Sequence, residues 1–181
     1  PKMAEATVPS ILAELAALED PKMRAVNERH GDDHGVNLTK LRAIAKEVKT
    51  NHDLALELWA TDDTAARLVA ILICKPRLFS AEDLDAMLRE ARARKTHDWL
   101  VNYVVKKSTH MEELRQKWMA DNDPVVASAG WALASHYVRK QFGDLDEVAL
   151  LDQIEGEMKD APDRLQWEMN TTLAEIGIAH E

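Results

Sequence analysis

The sequence predicts an all-α protein, and three observations carry that reading. Glycine is scarce, 6 of 181 residues, and no stretch shows strand alternation bounded by hairpin turns. Helix-start signals recur at short intervals. A weak internal repeat, offset by 59 to 61 residues, links two of those starts. An apolar fraction of 46% with 30% charged residues fits a soluble globular chain and not a disordered one. The length suits one domain with its own core, read here as spanning residues 1–181.

The elements can be justified in order. Asp20-Pro21 sets a capping acid before a proline at the first helical position. Asn51 precedes Leu54, Ala55, Leu58 and Trp59, which share one helical face. Asp62-Asp63 precedes Ala66, Leu68, Val69, Leu72 and Ile73. Ser80-Ala-Glu-Asp83 has the form of a capping box with Asp in place of Glu. Asp123-Pro124 repeats the Asp-Pro start, and Ala161-Pro162-Asp163 opens the last helix. In all, about ten or eleven helices of roughly 10–15 residues are predicted.

The repeat says more than the count. Trp59 to Leu72 resembles Trp118 to Leu133: a Trp closes one helix, an acidic turn follows, and an Ala-rich helix begins. Such repetition predicts stacked helical hairpins, an α-solenoid or α-α superhelix, in which each hairpin's apolar face is covered by its neighbours. Ala65, Ala66, Ala127 and Ala129 are small enough to let those helices approach closely. A globular helical bundle is the alternative architecture.

The formal charge is −9, which taken whole argues against a nucleic-acid binder. Its distribution reverses that reading. Residues 141–181 hold eleven acids and two bases, so residues 1–140 are neutral. Arg89 to Lys107 carries six bases and two acids. The expectation is a basic centre able to track phosphates and an acidic C-terminal segment; two solvated helix faces are the plainer alternative. Cys74 is the single cysteine, which excludes an internal disulfide framework and predicts a reducing, cytoplasmic setting. No run is long enough to span a bilayer, Pro1 to Val8 does not read as a signal peptide, and no membrane partner is expected.

Gly35 to Val48, with Asn51 to Trp59, Ala65 to Pro76, Asp98 to Val104 and Trp167 to Gly177, resembles the DNA alkylation repair family, the AlkD-like HEAT-like repeat DNA glycosylases. The likeness runs from about Met23 to Gly177. It implies HEAT-like repeats whose concave basic face holds duplex DNA. It also implies excision of cationic alkylpurines, with a carboxylate and aromatic rings stabilising the cationic sugar. Metal and cofactor are not required.

The resemblance assigns site residues, and the sequence departs at three of them. Trp99 matches the family's tryptophan, but Asn102 stands where the catalytic Asp aligns. Ser128 stands where an Arg is placed, and Asn170 and Thr171 occupy the region of a second aromatic, one turn after Trp167. These departures weigh toward a divergent member with lost or altered activity. The catalytic candidates are therefore Asp98, Trp99, Asn102 and Tyr103. Asp98 is the nearby carboxylate, one residue before Trp99 and about 100° around the helix from it. Trp99 and Tyr103, four apart, share a face.

The candidate DNA contacts are Arg92, Lys95, Lys106, Lys107, Arg139, Lys140, Trp131 and Trp167. Each has a structural alternative: Lys106, Lys107, Arg139 and Lys140 end helices and suit the helix dipole, Arg92 and Lys95 suit a solvated face, and the tryptophans suit a core. His30-Gly-Asp-Asp-His34 offers metal-ligand residue types, but its glycines make a turn where an i,i+4 His pair would need a helix. No metal site is assigned there. Cys74 reads as a small buried hydrophobe. A protein-interaction scaffold that keeps the fold without the chemistry is the competing function, and a protein partner then replaces DNA.

Overall fold

The computed structural model describes residues 5–141 and 145–181. Among them are eleven α-helices and no strand, in agreement with the predicted class. Helices start where the caps predicted. Asp20, Asn51, Asp63 and Asp123 each accept a hydrogen bond from a backbone N–H of the first turn. None of the described helices is long and apolar enough to cross a membrane. The chain packs as two compact units, one running to Ser80 and resuming over Ala86–Ser108, the other Ala81–Asp85 with the chain from Thr109.

The first unit contains α1 (Val8–Ala17), α2 (Pro21–Arg29), α3 (Leu38–Val48), α4 (His52–Ala60), α5 (Thr64–Ile73) and α7 (Arg94–Trp99). Helix α5 is its axis. Almost every residue of α5 is buried, and it packs against α1, α3, α4 and α7; a helix that is apolar all round can only sit inside. Arg67 is the charged exception, 6% exposed. It is compensated on several sides: its guanidinium donates to the carbonyls of Trp59 (3.1 Å) and Glu90 (2.9 Å) and pairs with Asp62 at 3.1 Å. Such multiple partners are what a buried charge requires.

The turn at 30–37 ties this unit together. Asp32 is buried and its carboxylate accepts from the Lys95 N–H at 2.9 Å, capping α7, which has no side-chain cap of its own. Asp33 accepts from the Thr64 hydroxyl at the start of α5. His34 is buried, and its Nδ1 accepts from the Val36 N–H at 3.2 Å. Gly35 is required for space, because a Cβ there would lie 2.5 Å from the Asp20 carbonyl oxygen. Asp32 and Asp33 thus tie this turn to α7 and α5.

The second unit is built on α8 (Met111–Met119), α9 (Pro124–Lys140), α10 (Glu147–Glu157) and α11 (Asp163–Ala179). Helix α9 packs on both α8 and α11. Its small residues Ala127, Ala129 and Gly130 are buried, and Gly130 lies so close to the end of α8 that a Cβ would meet the Met119 nitrogen at 2.5 Å. Trp131, Val138, Leu150, Ile154, Met169 and Ile176 form the core.

Helix α6 (Ala81–Glu90) contributes to both units, and it explains the repeat. Trp59 and Trp118, the matched tryptophans, are both buried. The Trp59 indole donates to Glu90 Oε2 at 2.6 Å, and the Trp118 indole donates to Asp85 Oδ1 at 2.8 Å. A buried indole N–H needs an acceptor, and α6 supplies one to each hairpin. The acidic turns after each Trp supply the caps of the next helix.

Candidate functional site

Helix α7 runs for six residues and gives way to a π-helical turn over Leu100–Val104, then a 3₁₀ turn over Val105–Lys107. Single π turns are enriched at functional sites because they re-aim side chains out of α register. Here the shift coincides with the predicted site, which carries Trp99, Asn102, Tyr103 and Lys106.

Trp99 and Tyr103 meet edge to face, with ring centroids 5.5 Å apart at 70°. The predicted pairing is therefore present. Its occupant was not foreseen. Arg42, exposed on α3, lays its guanidinium 4.5 Å from the Trp99 ring centroid and 5.7 Å from that of Tyr103. Its Nη2 donates to the Tyr103 hydroxyl at 3.2 Å. The electron-rich faces that would attract an external cation already hold one from the chain itself. Trp99 is only 6% exposed. No carboxylate contacts Arg42 among the described residues, whereas Arg24, Arg67, Arg92, Arg94, Arg115 and Arg139 each pair with one.

Asn102 is exposed, and its amide oxygen accepts from Lys106 Nζ at 2.7 Å. It brings hydrogen bonding and no negative charge. Asp98 pairs with Arg94 at 3.9 Å, one turn back along α7. The four catalytic candidates thus separate: Trp99 and Tyr103 form one aromatic corner around Arg42, while Asn102 binds Lys106 and Asp98 binds Arg94.

The DNA-contact candidates divide between the units. In the first, Lys107 is exposed and Lys106 half-buried. Arg92 is exposed, but its guanidinium binds Asp62 and approaches Asp33 at 3.9 Å, and Asp62 in turn holds the guanidinium above its ordinary pKa. Lys95 contributes its backbone N–H to the Asp32 cap. In the second unit, Arg139 pairs with Glu175 at 3.5 Å and Lys140 is exposed. Trp167 is 62% exposed.

Trp131 must be corrected. It is 1% exposed in the core of the second unit, so its ring cannot reach a nucleic acid. The apolar sequence around it, rich in small residues, buries α9 on both flanks and takes the indole inside. Ser128, the position aligned with an Arg, is also buried, and its hydroxyl donates to the Val125 carbonyl at 2.6 Å. Arg42 had no distinguishing signal beyond its place in α3. Its role emerges only from the packing of α3 near the π turn.

No curated protein matches the chain. One solved structure matches with a TM-score of 0.80 and 24% identity, covering 97% of this chain and 77% of the other. That protein is described as "a new family of proteins related to the HEAT-like repeat DNA glycosylases with affinity for branched DNA structures". At that identity the likeness establishes a HEAT-like helical fold. A family model described as "DNA alkylation repair enzyme" matches residues 11–181, nearly the whole chain. The chain belongs to the DNA alkylation repair family.

Proposed function

We propose that this protein binds DNA without excising bases, using the aromatic corner of Trp99 and Tyr103 with the Arg42 guanidinium seated on it. The observation that carries this reading is the Arg42 guanidinium seated 4.5 Å from the Trp99 ring. Base excision of a cationic purine places positive charge on the base and then on the sugar, and a carboxylate must answer it. Here Asn102 is neutral. A second unit cation about 5 Å from Arg42 would be disfavoured by about 3 kcal/mol at an effective dielectric of 20. Because the charge is present on the base before the bond breaks as well as on the sugar afterwards, that repulsion lowers kcat/KM by about two orders of magnitude, through binding as well as through the transition state. Family membership and the branched-DNA affinity of the similar structure support DNA as the partner.

The test is a titration of labelled duplex and four-way junction DNA at several salt concentrations. The reading requires binding at low salt that weakens steeply as salt rises. Absence of binding to either DNA at low salt would rule it out. In that event a protein-interaction scaffold becomes the better account, and one observation favours it: Trp167 and Ile178 are 62% and 61% exposed on α11, within the acidic segment.

A further inference from the structure

We infer that Arg42 is a docking point for a DNA phosphodiester, held in place by Trp99 and Tyr103, and that it converts an aromatic corner suited to cations into an anion site. This deepens the DNA-binding reading and depends on it. Arg42 is an exposed cation whose contacts are an indole face, a phenol ring and a phenol hydroxyl, with no carboxylate among the described residues. One N–H is engaged by Tyr103, while the rest of the planar fork is left for an acceptor. A guanidinium offers paired N–H donors that match phosphate geometry, and its stacking on an aromatic ring reduces the entropy lost on binding.

Neighbouring arginines do not share these properties. Arg92 and Arg94 occupy the basic stretch that looked most suited to phosphate, yet both are engaged by acids. The sequence contribution to phosphate binding therefore shifts from that stretch to a residue about fifty positions earlier, which the fold brings to it. Tyr103 acts as a positioning residue: its hydroxyl fixes the orientation of the guanidinium and need not touch DNA.

The experiment compares wild type with Arg42→Ala, Arg42→Lys and Tyr103→Phe in the full chain, with circular dichroism confirming unchanged helicity. Duplex affinity is measured between 50 and 200 mM chloride. Loss of one phosphate contact lowers the slope of log K against log salt by about 0.9, so affinity of the wild type should fall about threefold more than that of Arg42→Ala over this range. Arg42→Lys should retain the slope with weaker binding, because the charge remains and the fork does not. Tyr103→Phe should weaken binding at unchanged slope. Equal slope and affinity in wild type and Arg42→Ala overturn the inference while leaving DNA binding intact. Absence of wild-type binding overturns both. Inorganic phosphate is also added at matched ionic strength. It should displace duplex from wild type beyond the effect of chloride and not from Arg42→Ala, because both anions use the same guanidinium; phosphate bound by wild type with no loss of bound duplex assigns the seat to a free oxyanion and overturns the polymer-backbone assignment.

Discussion

Replacing Gly130 with alanine tests the close helix contact on which the second unit is built. Mid-helix, this change ordinarily gains about 1 kcal/mol, since glycine has the higher entropy cost. At Gly130 the new Cβ would lie 2.5 Å from the Met119 nitrogen and 2.9 Å from the Trp118 carbonyl carbon. Ordinary contact begins at 3.4 Å, so the end of α8 must move by close to an ångström. Both atoms are backbone and cannot rotate aside. Overpacking of a well-filled interior costs about 1–3 kcal/mol, and a backbone clash belongs at the upper end. The net expectation is a destabilisation of about 1–2 kcal/mol after the propensity gain. For a chain of this length that lowers Tm by roughly 3–6 °C. Gly156→Ala is the control, because no atom lies within 4 Å of the added Cβ; it should leave Tm unchanged or raise it. Thermal unfolding followed by circular dichroism reads both. Equal or higher Tm for Gly130→Ala would refute the reasoning about α8 and α9.

Two further expectations concern titratable groups in the first unit. Burial lowers the His34 pKa below the ordinary 6.5, against the opposing pull of Asp32, Glu19 and Asp33 and with help from Arg24. The unfolded chain then binds the proton that the folded one refuses, so the stability contributed by neutral His34 is full above about pH 6.5 and is lost as pH falls below it. Denaturant unfolding at pH 7.5 and 5.5 should show a loss of stability at the lower pH that is smaller in His34→Asn. Cys74 is buried, and burial raises its thiol pKa to about 11. It should resist a thiol reagent at pH 8 in the folded protein and react promptly in denaturant; rapid labelling without denaturant would contradict its place in the structure.

Local chemistry explains what could be read in advance. Caps such as Asp20, Asn51 and Asp123 act within one turn, so the chain itself displays them. The repeat was visible because Trp59 and Trp118 meet the same need, a buried indole with an acidic acceptor. The acceptors, Glu90 and Asp85, were not visible, because each lies about thirty residues from its tryptophan. Tryptophan at helical spacing is compatible with core and surface alike, and packing decided differently at Trp131 and Trp167. The corner at Trp99 and Tyr103 was legible from their spacing. Arg42 was not, since its contact with Tyr103 spans 61 residues. The charge pattern overstated the basic stretch for the same reason: Asp33 and Asp62, which engage Arg92, come from distant turns.

Incubation of the protein with alkylated duplex DNA, with bound DNA and released base quantified in the same sample, addresses the proposed role most directly. DNA retained by the protein at low salt, with no methylated purine released above the buffer control, is the predicted result. Protein-dependent release of methylpurine would contradict it, and would show that the Arg42-filled corner still supports base excision.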